Sequence, residues 1–262
     1  MAKSSKKPAS YDLKAADRKR NLAIQIGLTA IVVVFAVALV LYIVMSGDKG
    51  QPGDVKAVRV ATENVVTKEG TQDPKVVLGM YEDFQCPHCR DFEKNFGPTV
   101  AKLISSGAVA ADYYLVGILD SPVNDNYSTR AANAAYCVAD EDKTPGKEVF
   151  SRFHTALFVQ QPPEGSAAPD NAQLIETARQ AGAGGTVPDC VNSGKYNDMI
   201  DGLAAAAKIN ATPTVRINGE DYEFSTPDAL VAKVKEIAGD VPGLDAASSP
   251  APAPAPAPAT AP

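Results

Sequence analysis

The stretch EDFQCPHCRDFE (82–93) sets two cysteines three positions apart, Cys86 and Cys89, with Pro87 and His88 between them. Its flanks decide the fold. Upstream, KVVLGMY (75–81) is a short apolar run bounded by GTQDP and by the cysteine turn, the pattern of a buried strand. Downstream, Phe92, Phe96, Val100 and Leu103 recur at four, four and three, which is one face of a helix. A bend is expected near Gly97-Pro98, because proline lacks a backbone donor. VAADYYLVGIL (109–119) reads as a second central strand. The cysteines therefore fall where a strand hands over to a helix.

That position has chemical consequences. Unpaired N–H groups and the positive end of the helix dipole point at the Cys86 sulfur. They favour thiolate over thiol and lower its pKa. Pro87 fits the first turn without losing a needed hydrogen bond. His88 adds a donor or a positive partner, and Cys89, one turn along, is expected to be buried. C-x-x-C beside a βαβ pattern reads as a redox pair. Two plainer readings stay open. A structural disulfide closing two residues constrains the unfolded chain little. Zinc with His88 lacks the four ligands of a structural site, because Cys137 and Cys190 are isolated and the only other histidine is His154.

The rest of the chain supplies the frame. From about 120 to 209 the pattern is helical: NYSTRAANAAYCVAD, PGKEVFSRFHTALFVQQ, NAQLIETARQAG and KYNDMIDGLAAAAKI carry start and stop signals. PTVRI and DYEF are then joined by Asn218-Gly219, a strong hairpin signal. A last helix starts at Thr226 with Pro227 in its first turn and buries Leu230, Val231, Val234 and Ile237 before Gly239. The order β–α–β, a helical stretch, then β–β–α, suggests one α/β layer with a helical insertion.

Outside this body the composition changes. Seven basic and two acidic side chains lie in the first 20 residues, leaving 18 basic and 29 acidic in the remainder. An acidic body argues against nucleic-acid binding. The uncharged run from Leu22 to Met45 is almost wholly apolar. As a helix it reaches ~36 Å, enough for a ~30 Å hydrocarbon core. Its basic flank predicts a cytoplasmic N-terminus and a body across the membrane. The run is longer than a signal-peptide core and no A-x-A-like site follows it, so an uncleaved anchor is expected. The expected plan is a basic segment at 1–20, a single transmembrane helix at 21–46, a linker at 47–55, a globular domain at 56–243 and an Ala/Pro-rich tail at 244–262. Disulfides persist where the body would lie.

DFQCPHCRDFE, the helical insertion and NATPTVRING around Pro213 together resemble the thioredoxin superfamily, and within it the DsbA-like disulfide oxidases. The similarity covers roughly residues 56 to 240. It implies a thioredoxin-like fold, a cis Thr212-Pro213 peptide facing the cysteines and binding substrate backbone, and an oxidase, since Pro-His between the cysteines goes with oxidases in that family. The sequence departs from the family at Met80, where many members carry a buried acid six residues before the first cysteine. Strand alternation is taken to keep Glu82 and Asp83 out of that pocket, which leaves open the group that assists proton transfer at Cys89.

Cys137 and Cys190, in an oxidising compartment, are expected to pair across a loop of about 54 residues, worth about 4 kcal/mol in the chain-entropy model. Two separate buried thiols are the alternative. His154 reads as a core or helix-surface histidine. The leading expectation is a membrane-anchored thiol–disulfide oxidoreductase with its catalytic domain outside the cytoplasm, donating disulfides to exported proteins. The resemblance implies reoxidation by a DsbB-like or vitamin-K-epoxide-reductase-like membrane partner. No metal or organic cofactor is expected. A reductase or isomerase on the same fold, and a non-catalytic chaperone or binding module, are the competing readings.

Overall fold

The computed structural model describes residues 56–244. The basic segment, the expected transmembrane helix, the linker and all of the tail but Leu244 lie outside the described residues. Among the described residues, no helix is long and apolar enough to cross a membrane.

Five strands form one sheet: β1 (Val58–Val60), β2 (Val77–Glu82), β3 (Ala110–Leu115), β4 (Thr214–Ile217) and β5 (Glu220–Asp221). Their spatial order is β1-β3-β2-β4-β5. β2 and β3 run parallel, joined by α1 (Pro87–Ser105); the other pairings are antiparallel. A parallel pair needs a crossover, and α1 supplies it. Between β3 and β4 come α2 (Tyr127–Glu141), α3 (Glu148–Val159), α4 (Asn171–Ala181), α5 (Val187–Ser193) and α6 (Asn197–Ala206). The chain closes with α7 (Pro227–Ala238). This is the expected α/β layer with a helical insertion.

The register sorts the side chains of β2. Met80 lies opposite Tyr113 and Val215, and Glu82 opposite Leu115. Residues two apart share a face of a strand, so Leu78, Met80 and Glu82 form one row. Tyr81 lies on the other face, stacked on Tyr114 at 4.4 Å and beneath the Arg216 guanidinium. In α1, Phe92, Phe96, Val100 and Leu103 are all buried, as the four-four-three spacing requires. The helix runs unbroken past Pro98.

Local signals set several boundaries. Pro87 opens α1, and Thr226 caps α7 by accepting from the Ala229 N–H. Asp170 and Gln173 make a capping box at α4, and Gly182 closes it in the left-handed region. Asn218 and Gly219 both take positive φ in the turn between β4 and β5. Three expectations need correction. The second central strand ends at Leu115, not residue 119, because the chain turns at Gly117, where a side chain would strike Thr129 Oγ1 at 2.2 Å. The DYEF strand shrinks to Glu220–Asp221, since Tyr222 to Phe224 leave the sheet and Phe224 packs against Phe92 and Phe96 of α1. In α7, Leu230 and Val234 are buried, but Val231 and Ile237 lie at its half-buried margin. The edge strand β1 was not expected.

Candidate active site

The turn after β2 delivers Cys86 to the N-cap of α1 in extended backbone, φ −74° and ψ 117°. Its carbonyl accepts from the N–H groups of Cys89 (3.1 Å) and Arg90 (3.2 Å). Pro87 follows at the first helical position, His88 is exposed, and Cys89 is fully buried. Both cysteines are unbonded thiols in this structure. Across from them, Thr212-Pro213 is a cis peptide, and the Cys86 thiol donates to the Thr212 carbonyl at 3.3 Å. His88, Phe92, Thr212, Pro213 and Phe224 line a groove of about 350 Å³ beside the pair. The structure therefore brings together Cys86, Pro87, His88, Cys89, Thr212 and Pro213, residues from sites more than 120 positions apart in sequence.

The two sulfurs are electrostatically unlike. Hydrogen bonding from Cys89 lowers the Cys86 pKa to about 5, helped by the Thr212 side chain and the N–H groups of Cys89 and His88, and opposed by partial burial. Burial pushes the Cys89 thiol well above its ordinary value, and its hydrogen bond to Cys86 and the Glu82 carboxyl push the same way. One sulfur is held as an anion and its neighbour as a thiol.

The family model described as Thioredoxin matches residues 63–236. The chain belongs to the thioredoxin family. DsbA from Mycobacterium tuberculosis, in its reduced crystal form, is 60% identical, with a TM-score of 0.70 over 72% of this chain and 96% of that one. Reduced DsbG from the same organism is likewise 60% identical at a TM-score of 0.70, covering 76% of this chain and 95% of that one. Within the family the chain is thus a DsbA-like thiol–disulfide oxidoreductase. Among curated proteins, the serine/threonine-protein kinase PknE of M. tuberculosis is 29% identical over 188 residues, 70% of this chain. The chain spans about a third (32%) of that protein's length.

This thioredoxin-family site carries features the sequence reading missed. Glu82 is expected outside the active-site pocket; instead its buried carboxyl acts electrostatically on the Cys89 thiol. The reason is the alternation itself: position 82 is two residues beyond 80 and shares its face. Glu82 is fully buried, and its Oε2 lies 2.8 Å from His154 Nε2 on α3. His154 Nδ1 is 4.0 Å from Oε2 of Glu93 on α1. Burial raises Glu82 and Glu93 to about 8 each and lowers His154. His154 is thus a core histidine with a polar partner.

A second buried network ties the insertion to the cysteine turn. Asp83 Oδ1 accepts from the Gln85 N–H (2.8 Å) and the Ser128 hydroxyl (2.6 Å), and its Oδ2 from the Leu119 N–H (2.9 Å). Asn124 donates to Gln85 Oε1, and Gln161 Nε2 donates to the Cys86 carbonyl at 2.9 Å. None of these partners has a local sequence signal. Farther away, Cys137 of α2 and Cys190 of α5 form a disulfide with Cα atoms 5.8 Å apart. It staples the insertion internally.

Proposed function

We propose that this DsbA-like protein is a disulfide donor, with Cys86–Cys89 as its redox pair, acting on exported proteins outside the cytoplasm. The observation that carries the reading is the unequal placement of the two sulfurs: Cys86 at the N-cap of α1, hydrogen-bonded by Cys89 and with its pKa lowered to about 5, and Cys89 fully buried, which favours its thiol. A stabilised thiolate favours the reduced pair, so the disulfide tends to leave the protein for other dithiols.

The cycle follows from that inequality. A substrate thiolate attacks Cys86 Sγ of the oxidised pair. The Cys86–Cys89 bond breaks, and Cys89 leaves with the electron pair and takes up a proton. A substrate–Cys86 mixed disulfide remains. A second substrate thiolate attacks the substrate sulfur of that bond, and Cys86 departs as the stable thiolate. The substrate gains a disulfide and the pair holds two electrons. The groove by His88, Thr212 and Pro213 is where an extended substrate segment would lie, with the Thr212 carbonyl next to the reacting sulfur.

We further propose the domain plan read from the sequence: a single-pass anchor at 21–46 with the N-terminus in the cytoplasm, a catalytic domain over 56–243 and an extended tail. The apolar run, its basic flank and the disulfide in the insertion support it. A membrane enzyme of the DsbB or vitamin-K-epoxide-reductase kind would reoxidise the pair. The test is stoichiometric transfer. Oxidised protein mixed with a reduced, unfolded two-cysteine peptide should yield peptide disulfide and an equal amount of reduced protein. A protein that leaves the peptide reduced, yet reduces insulin, would be a reductase. In intact cells a membrane-impermeant thiol label should reach Cys86; protection until lysis would place the body in the cytosol.

A further inference from the structure

Behind the cysteine pair, Glu82 at the end of β2, Glu93 on α1 and His154 on α3 converge from three separate elements. One donor atom from each lies within 4.8 Å of the others. The Glu82 side chain is wholly buried and that of Glu93 is 14% exposed. The two carboxyls hydrogen-bond to each other, and apart from that contact each has an Oε1 with no donor. A buried carboxylate oxygen left unpaired costs roughly 1–3 kcal/mol or more, and such groups in native proteins have a partner. Something positive belongs between these two.

A cavity of about 970 Å³ opens between α1 and α3 and is lined by Arg90, Glu93, Lys94, Arg152, His154 and Phe158. It reaches two of the three donors, so an ion has a route to the cluster. The basic side chains on its wall have no ion pair with Glu82 or Glu93 among those described; the cluster's one basic partner is His154. Without a cation, burial favours the protonated carboxyls, so an ion entering here displaces their protons. A divalent cation would neutralise both carboxylates, and buried charge is stable only when compensated.

We propose that Glu82, Glu93 and His154 form a divalent-cation site of the Zn²⁺ class, with a water from the cavity as fourth ligand. Two carboxylates and one imidazole suit Zn²⁺, and three protein ligands with one open position is an ordinary arrangement for it. Tetrahedral bonds of about 2.0–2.1 Å put ligand atoms about 3.3 Å apart. His154 meets Glu82 through Nε2 at 2.8 Å and Glu93 through Nδ1 at 4.0 Å; only one of these nitrogens can hold the ion, so the other contact is given up on binding. Binding would close the 4.8 Å triangle by small side-chain rotations and would clamp α3 of the insertion onto α1.

The experiment uses the full chain with its Cys86–Cys89 pair oxidised, so that no free thiol competes. Titration with Zn²⁺ in a calorimeter should give one site per chain and raise the unfolding temperature. Glu93→Gln, which keeps the side-chain shape, should weaken binding at least about 10-fold, as should His154→Ala. The Cys86→Ser/Cys89→Ser protein should bind like the oxidised parent. If His154→Ala fails to fold, Glu93→Gln carries the test. No stoichiometric uptake means protons alone satisfy the carboxyls, and that overturns the proposal. Binding that survives Glu93→Gln, or vanishes with the cysteines, overturns it as well.

Discussion

The Sγ of Cys86 lies 3.3 Å from the carbonyl oxygen of Thr212, 126 positions later in the chain. The N-cap of α1 and the loop before β4 therefore meet at one sulfur. That meeting places the reacting sulfur beside the loop on which, in the proposed function, substrate backbone would dock.

The acidity can be taken apart. Hydrogen bonding from Cys89 is the largest lowering influence on Cys86, ahead of the Thr212 side chain. Cys89→Ala should therefore raise the Cys86 pKa more than Thr212→Val does. Thiolate absorbance against pH reads both. Equal pKa values in parent and Cys89→Ala would contradict that ranking.

The pH dependence of stability has a definite sign. In the reduced form, folded Cys86 ionises near 5, against an ordinary value of 9.0 for the unfolded chain. Between those limits the unfolded chain binds more protons, so this contribution to stability grows as pH rises from about 5 to 9. It is lost as pH falls through 5. The oxidised form has no thiol there. Unfolding free energies of the two forms should diverge in favour of the reduced one over that window; a constant difference contradicts the assignment.

The insertion's staple acts on the unfolded chain. Cys137 and Cys190 are 53 positions apart. Replacing both with Ala should cost about 2–4 kcal/mol in urea unfolding. The Cys86 pKa should stay where it is, because the bridge touches neither α1 nor the Thr212 loop. A shifted pKa would mean that the insertion transmits strain to the site.

Gln161 links the insertion directly to Cys86 itself. Its amide donates to the Cys86 carbonyl, which also accepts from the Cys89 and Arg90 N–H groups. Gln161→Ala leaves that carbonyl satisfied, so the loss should be about 1 kcal/mol rather than a full desolvation penalty. A loss above about 3 kcal/mol would show that Gln161 holds the loop between α3 and α4 as well.

What the sequence disclosed was local. The helix start at Cys86-Pro87, the buried row Phe92, Phe96, Val100 and Leu103, the Asn218-Gly219 turn and the Thr226 cap are each written in a few adjacent residues. The pairing of Cys137 with Cys190 followed from having two thiols left over. What stayed hidden depends on contacts across the fold. Nothing near His154 announces Glu82, 72 positions earlier. Nothing near Gln161 announces Cys86. β1 is only three residues long, and DYEF carries a strand pattern that the packing of Phe224 on α1 overrides. Glu82 is different: the two-residue repeat along β2 was enough to put it on the Met80 face, and the same rule misapplied kept it off.

The reduction potential of the Cys86–Cys89 pair, measured against glutathione buffers, tests the donor assignment most directly. An anion held at Cys86 stabilises the reduced pair and should put the potential near the DsbA value of about −120 mV. A potential at or below about −270 mV, where thioredoxin lies, would make the protein a reductant and contradict the account.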